Sequence, residues 1–168
     1  MTGSAQSLKN IISKRVWIRA SPKVVYKALT EARELVHWFC DHASCDPREG
    51  GDLVARWRTG KTIQKGRARI THLDPGASIE FLWLDDVCGT PEAISHHTLS
   101  YEIQSKSGMT ELIMTDKDVS APDEETYTFL DQGWNSVLIE LKDYCERKER
   151  TAKLPPRPKA NRSKAPAE

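Results

Sequence analysis

A long helix is predicted over residues 123–150, which read DEETYTFLDQGWNSVLIELKDYCERKER. Asp123 is a favourable N-cap residue, and the two glutamates that follow it suit the positive end of a helix dipole. Apolar residues recur along one side of this helix at 3.6-residue spacing, namely Leu130, Trp134, Val137, Leu138, Leu141 and Cys145. A stripe of this width needs an apolar surface to cover, and the rest of the chain must supply it.

The predicted surface is an antiparallel sheet. Short segments in which apolar and polar residues alternate are joined by turn sequences such as Asp74-Pro75-Gly76 and Lys106-Ser107-Gly108. The predicted strands are residues 12–19, 52–58, 65–73, 78–84, 97–104 and 109–115. Because the helix can cover one face of this sheet, the sequence predicts an α+β domain.

Two short helices are predicted between the first and second strands. Ser21 is a good N-cap and Pro22 suits the first turn, so the first of these helices begins here. The second is predicted over residues 32–40, where Leu35, Val36 and Trp38 are apolar.

Composition argues against several protein classes. The 168 residues include 25 Lys and Arg against 24 Asp and Glu, a net charge of +1, whereas a dedicated nucleic-acid-binding domain normally carries a basic surplus. No apolar run approaches the ~18–20 residues that span a bilayer. The first residues contain no apolar segment of a secretory signal. We therefore expect a soluble, cytoplasmic protein without a membrane span.

The ends of the chain differ from its body. We predict a flexible N-terminus at 1–10, one domain at 11–150, and a disordered, basic, proline-rich tail at 151–168. The tail carries five Lys and Arg against one Glu and holds four of the nine prolines. Such a segment buries too little apolar surface to offset the entropy lost on ordering.

Several motifs together resemble a known family. They are VWIRASP at 16–22, VVYKALT at 24–30, Trp38-Phe39, Gly50-Gly51 and Gly133-Trp134. They resemble the activator of Hsp90 ATPase homologue 1-like (AHSA1-like) family of the START-like, or SRPBCC, superfamily, over residues 11–150. The resemblance implies a helix-grip fold, a curved antiparallel sheet of about six strands around a long C-terminal helix. It also implies a cytoplasmic role, such as one in the stress response.

The resemblance implies binding of a small hydrophobic molecule or lipid between the sheet and the C-terminal helix. On this interpretation the protein is not an enzyme, needs no cofactor, and is a monomer or a homodimer. One alternative is a chaperone-associated or other protein-interaction module. Activation of the Hsp90 ATPase itself is not expected, because eukaryotic activators carry an additional N-terminal domain. Another alternative is an enzyme similar to the polyketide cyclases, although no catalytic set matches positions in this sequence.

The predicted ligand-binding residues are the aromatic and large apolar side chains that share the inner face. Tyr and Trp suit a pocket because their polar tips require hydrogen-bond partners when buried. The alternative is that the same residues simply fill the core. The set is Trp38, Phe39, Trp57, Phe81, Trp83, Tyr101, Met114, Trp134 and Leu138.

Two polar groupings could carry chemistry, and each has a plainer explanation. The segment from His37 to Cys45 holds two His and two Cys, the ligand types of zinc sites, but the spacing is irregular and aromatic residues interrupt it. We expect no bound metal. His96 and His97 could form an acid–base pair with Asp85 or Asp86, or could be a solvated loop end. No catalytic residue is assigned.

Arginines predicted on the outer face of the sheet form a third candidate site. If their strands are neighbours, they make a basic patch that could bind an acidic partner. Exposed arginines also oppose edge pairing and pair with glutamates across strands, which is the alternative. The residues are Arg15, Arg19, Arg56, Arg58, Arg67 and Arg69, with Trp17 beside the first two.

Overall fold

The computed structural model describes residues 11–84, 97–117 and 123–155. Seven antiparallel strands form one sheet in these residues: β1 (Ile11–Ile18), β2 (His42–Cys45), β3 (Asp52–Thr59), β4 (Thr62–Asp74), β5 (Ser78–Trp83), β6 (His97–Lys106) and β7 (Met109–Lys117). Their spatial order is β1-β7-β6-β5-β4-β3-β2. The helices are α1 (Pro22–Thr30), α2 (Ala32–Leu35) and α3 (Glu124–Lys153). The α+β helix-grip class is confirmed.

The turns that were predicted from sequence join the central strands. Ser107 and Gly108 both have positive φ, +52° and +75°, between the paired residues Lys106 and Met109. A two-residue turn with both φ angles positive matches the twist of antiparallel strands, so β6 and β7 form a tight hairpin. Gly76, with φ of +78°, turns the chain between β4 and β5 in the same region of backbone space.

One strand, β2, is not predicted from the sequence, because its residues show almost no strand pattern. It has four residues, pairs only with β3, and lies at the edge of the sheet. Its mixed sequence, His-Ala-Ser-Cys, lacks the β-branched and aromatic residues that mark strands. The predicted count of six strands is therefore one too low.

The short helices follow their predicted signals at the start but not at the end. Ser21 Oγ accepts a hydrogen bond from the Val24 amide at 3.4 Å, as expected for an N-cap. The second helix was predicted to reach residue 40, but α2 ends at Leu35. The Leu35 carbonyl accepts from the amides of residues 38, 39 and 40, so the chain tightens into a turn. This turn packs both Trp38 and Phe39 against the core.

Helix α3 is divided into two halves by its burial. The Asp123 side chain accepts from the Thr126 amide at 2.7 Å and caps the helix as predicted. The first half, residues 124–137, has no buried side chain; those of α3 all lie in the second half, from residue 138 onward, at Leu138, Leu141, Tyr144 and Cys145. The helix continues to Lys153, three residues into the predicted tail. Residues 1–10 and 156–168 lie outside the described residues.

Polar contacts tie α3 to β1, at one end of the sheet. Lys142 Nζ donates to the Trp17 carbonyl at 2.7 Å, and the Arg19 amide donates to Glu146 Oε1 at 3.0 Å. Further toward the start of the helix, Lys14 forms an ion pair with Asp131 at 2.7 Å. The helix therefore lies along β1, while the strands beyond β6 are covered by α1, α2 and the turn that follows. No described helix is long and apolar enough to cross a membrane.

Candidate functional site

A small, partly open cavity lies between the segment formed by α1 and α2 and the inner face of strands β3, β5 and β6. Its volume is about 20 Å³. That is room for about one water molecule. Its walls are apolar or aromatic: Leu29, Leu35, Trp38, Phe39, Leu53, Phe81, Trp83, Leu99 and Tyr101. Five of the nine predicted ligand-binding residues therefore share one cavity.

One wall of this cavity is a cluster of aromatic rings held in place by backbone hydrogen bonds. The Trp38 indole donates to the Ala28 carbonyl at 2.9 Å, and the Trp57 indole donates to the Phe39 carbonyl at 2.6 Å. The Phe39 ring lies 5.2 Å from the Trp57 ring and 6.4 Å from the Trp83 ring, measured between centroids. Trp57 therefore contacts Phe39 of the cavity wall but does not itself line the cavity.

The other three predicted residues lie elsewhere on the inner side. Met114 pairs with Lys14 of β1 and Tyr101 of β6 in the sheet register, and it is fully buried. Trp134 and Leu138 belong to α3. None of these three lines the cavity. The predicted set is divided because α3 lies along β1, whereas the cavity lies over the middle of the sheet.

A polar cluster connects the two parts of the set. Asp116, at 3% exposure, faces inward on β7 opposite Leu99. His97 Nδ1 is hydrogen-bonded to Asp116 Oδ1 at 2.6 Å, and the Trp134 indole donates to Asp116 Oδ2 at 2.9 Å. The His97 ring stacks on Trp83 with centroids 6.3 Å apart and an angle of 11° between the rings. The contacts therefore run from α3 through Asp116 and His97 to the cavity wall.

His97, considered as a functional residue from the sequence, has a carboxylate partner that the sequence did not suggest, Asp116. The predicted partners Asp85 and Asp86, with His96, lie outside the described residues, and His97 bonds to Asp116 instead. One signal was present in the sequence. Asp116 continues the inward parity of Leu112 and Met114, so the strand pattern, extended by one residue, places a carboxylate in the core.

The charge of Asp116 affects a neighbouring hydroxyl group. Burial, and next to it the negative charge of Asp116, raise the pKa of Tyr101 far above its usual range. The Tyr101 hydroxyl therefore stays protonated at neutral pH, and it can act as a hydrogen-bond donor beside the cavity.

A second concavity is open to solvent and lies between the turn after α2 and the end of α3. It measures about 490 Å³ and is lined by His37, Tyr144, Arg147, Lys148, Thr151 and Ala152. The rings of His37 and Tyr144 stack at 5.9 Å. The floor is a buried contact in which the Tyr144 hydroxyl and Lys148 Nζ both donate to Glu34. Because its acid is already paired, this groove presents a basic rim.

The His and Cys residues considered as zinc ligands do not converge. His42 and Cys45 are three residues apart on β2, so their side chains point to opposite faces of the sheet. Burial raises the pKa of Cys40 and that of Cys45 to about 11, so both thiols stay protonated at neutral pH. In the described ranges, no three His, Cys, Asp or Glu side chains are placed to hold a metal ion.

The predicted arginine patch is two separate patches, which corrects the sequence interpretation. At about 4.8 Å per strand, the arginines of β4 are four strand spacings, roughly 19 Å, from those at β1, and the arginines of β3 are five spacings, roughly 24 Å, away. Arg15 forms an ion pair with Glu111 at 3.0 Å. Arg67 and Arg69 both contact Asp52, at 3.2 and 3.3 Å. The remaining basic patch is therefore centred on Arg56 and Arg58.

Comparison with known proteins gives one family and a common fold. The family model described as "Activator of Hsp90 ATPase homolog 1-like protein" matches residues 19–146. No curated protein sequence matches the chain.

Solved structures with the same fold are distant in sequence. The Aha1 dimer from Colwellia psychrerythraea is 21% identical, with a TM-score of 0.66 over 81% of this chain and 96% of that one. A protein from Nitrosomonas europaea is 13% identical, with a TM-score of 0.71 over 86% and 99%. One from Chromobacterium violaceum is 19% identical, with a TM-score of 0.69 over 83% and 99%. At these identities the likeness establishes the fold alone.

Proposed function

Because the chain belongs to the activator of Hsp90 ATPase homologue 1-like family, within the START-like superfamily, we propose that it binds a small hydrophobic molecule without catalysing a reaction. The observation that carries this proposal is the cavity walled by Trp38, Phe39, Phe81, Trp83 and Tyr101. Large rings around one space, with few polar groups, suit an apolar ligand of low molecular weight.

Binding requires the cavity to grow. Ligand sites of ordinary size measure about 300–1,000 Å³, against the 20 Å³ of this cavity. The first half of α3 is the element best able to move, since it buries no side chain completely and is held by single polar contacts at Tyr127, Asp131 and Trp134. When Trp134 leaves Asp116, His97 and then Trp83 lose their support, and the cavity wall can open.

A fluorescent apolar dye tests this function directly. We expect N-phenyl-1-naphthylamine to bind the native protein saturably, with one site per chain. Phe81→Leu removes part of the cavity wall and should change the dissociation constant several-fold. Phe129→Leu is the matched control, because Phe129 is 71% exposed on α3, and this change should leave binding unaltered. Absence of saturable binding to the native wild-type protein would refute the proposal.

A second candidate function is docking of an acidic protein partner on the outer face of β3 and β4. Arg56 and Lys65 are direct cross-strand neighbours on this face. Like charges in this position are destabilising. Neither has an ion-pair partner within the described ranges. An exposed basic pair of this kind is complementary to a negatively charged surface of a partner protein.

The family description names the partner class with which to test this second function. We expect Arg56→Gln to weaken binding to purified Hsp90 in biolayer interferometry and to raise stability slightly, because it removes the repulsion from Lys65. Arg150→Gln, an exposed change on α3, is the control. Wild-type protein that shows no affinity for Hsp90, or equal affinity in both variants, would argue against docking through this face.

We also propose a cytoplasmic protein that is a monomer or a homodimer. The dimeric Aha1 of Colwellia psychrerythraea, which shares the fold, supports considering the dimer. Light scattering coupled to size exclusion measures the mass of the particle, and a mass above that of two chains would contradict this proposal.

A further inference from the structure

The hydrogen-bond partners around Asp116 suit a carboxylate. An indole nitrogen can only donate a hydrogen bond, so Asp116 Oδ2 accepts from Trp134. The other oxygen lies 2.6 Å from His97 Nδ1. With Asp116 as a carboxylate, which accepts at both oxygens, His97 Nδ1 carries the proton that it donates. The geometry thus satisfies Asp116 in its charged form, inside the protein.

This arrangement determines what His97 presents to its surroundings. In the neutral imidazole, a proton on Nδ1 leaves the lone pair on Nε2, which is then a hydrogen-bond acceptor. The ring lies flat on Trp83, and Trp83 lines the cavity. His97 is also partly exposed, with 21% of its side chain accessible. In this tautomer the acceptor nitrogen belongs to a ring that stacks on Trp83, a residue of the apolar wall.

The charges near this nitrogen are predominantly negative. Asp116 is buried, and the single described cation beside it on the inner face, Lys14, is already paired with Asp131 at 2.7 Å. Asp116, Lys14 and Asp131 together carry a net charge of −1. Buried charges interact strongly because the surrounding dielectric is low, so an anionic ligand group would be repelled here.

We propose that the ligand is a neutral apolar molecule bearing one hydrogen-bond donor, a hydroxyl or an amine, which it gives to His97 Nε2. The inference rests on the hydrophobic binding proposed above and adds its chemical selectivity. Asp116 acts as a positioning residue that holds the imidazole in the accepting tautomer and keeps carboxylates and sulfonates out. Fatty acids and other anionic lipids are therefore poor ligands, whereas phenols, alcohols and arylamines are good ones.

Two dyes with one skeleton test the charge selection. N-phenyl-1-naphthylamine is neutral, and 8-anilinonaphthalene-1-sulfonate adds a sulfonate to it. The neutral dye is also the more hydrophobic, so the diagnostic quantity is the change in the ratio of the two dissociation constants on mutation. Asp116→Asn removes the charge and supplies an amide donor to His97 Nδ1, which moves the imidazole proton to Nε2. We expect the preference for the neutral dye to fall about tenfold.

Asp143→Asn is the matched control for net charge. Asp143 is exposed on the same helix as Trp134, so this variant should leave the ratio unchanged. An equal shift in the ratio for both variants, or no shift for Asp116→Asn, would overturn the selectivity while leaving hydrophobic binding intact. If neither dye binds the folded wild-type protein, the proposed function fails, and this inference fails with it.

A second variant tests the acceptor nitrogen without changing the charge. His97→Asn retains a donor for Asp116 but has no atom at the position of Nε2. The probe pair is 2-naphthol, which has a hydroxyl donor, and 2-methoxynaphthalene, which has none. Wild-type protein should bind 2-naphthol about fivefold to tenfold more tightly, the value of one hydrogen bond. The His97→Asn variant should bind 2-naphthol and 2-methoxynaphthalene with equal affinity. An advantage for 2-naphthol that survives in His97→Asn would refute the role of His97.

Discussion

Buried polar side chains are the residue-scale feature that the sequence pattern described least well. Glu111 belongs to the outward-facing positions of β7, yet it is only 1% exposed. Trp17 lies directly opposite it on β1, and Arg15 and Lys106 both form ion pairs with it. Alternation assigned its face correctly. It could not show that long side chains of neighbouring strands would cover the carboxylate, because that depends on contacts across strands.

The Trp134 indole is the residue whose removal best measures the polar cluster. Trp134→Phe keeps an aromatic ring but leaves Asp116 Oδ2 without its donor. A buried acceptor that loses its partner costs about 1–3 kcal/mol, and urea unfolding should show a loss of this size. Trp17→Phe is the control, because Trp17 makes no side-chain hydrogen bond within the described ranges and is 39% exposed. Equal losses in both variants would mean that the indole bond contributes nothing.

Glu34 gives the protein a defined response to acid. Burial opposes its ionisation, but hydrogen bonds from Tyr144 and Lys148 prevail and hold the pKa of Glu34 below its ordinary value. A carboxyl with a lowered pKa stabilises the fold fully above its unfolded pKa, and this contribution is lost as the pH falls through the folded pKa. The stability advantage of wild type over Glu34→Gln should therefore shrink from pH 6 to pH 3.

The control for this pH dependence is Glu140→Gln, at an exposed position of α3. Its stability difference from wild type should stay constant over the same range. Chemical denaturation at several pH values gives both differences. A difference for Glu34→Gln that grows as the pH falls would contradict the assigned role of this carboxyl.

Elements with a strong local pattern were predicted well, and those without one were not. The long helix, its Asp123 cap and the hairpin turns follow from local sequence, because capping and positive φ are local requirements. The strand β2 and the early end of α2 do not. Both depend on how the chain packs after residue 35, where Trp38 and Phe39 must reach the same core.

Gly133 lies in the first half of α3, directly before Trp134, and its substitution tests how that half moves. A Cβ at this position would meet nothing within 4 Å. Gly133→Ala should therefore stabilise the protein by about 0.5–1 kcal/mol, the difference in helix propensity. If the first half of α3 must lift for the cavity to open, the same change should slow the association of N-phenyl-1-naphthylamine in stopped-flow measurements.

Ser136→Ala is the control for Gly133→Ala. It distinguishes a general effect of improved helix propensity from an effect specific to position 133. Ser136 is exposed three residues further along α3, and alanine also improves the helix there. This variant should gain stability without slowing association. An association rate that is unchanged in Gly133→Ala would show that the cavity opens by another route.

At the scale of the whole molecule, the order of the strands determines which residues of each predicted site lie close together in the structure. Local patterns do not reveal that β1 pairs with β7, because this contact joins distant parts of the chain. The pairing places α3 along one end of the sheet and the aromatic cavity over its middle. It divides the predicted ligand residues between two regions and separates the arginines of β1 from those of β3 and β4. The fold class was nevertheless predictable, since it needs only the types of element and their order.

Two truncations locate the end of the folded molecule. Removing residues 156–168 should leave the melting temperature nearly unchanged, because the segment is basic, rich in proline and has no apolar face.

Ending the chain after Arg147 should instead lower the melting temperature. It removes Lys148, which donates to Glu34 at 3.2 Å, and Glu149, which accepts from the Ser21 amide at 3.4 Å. Because these contacts fix α3 to both short helices, calorimetry should show a fall of several degrees, roughly the effect of losing 1–2 kcal/mol in a domain of this size. Equal melting temperatures for the two truncated proteins would mean that the last turns of α3 do not stabilise the domain, and a fall in the shorter deletion would place part of residues 156–168 within the folded structure.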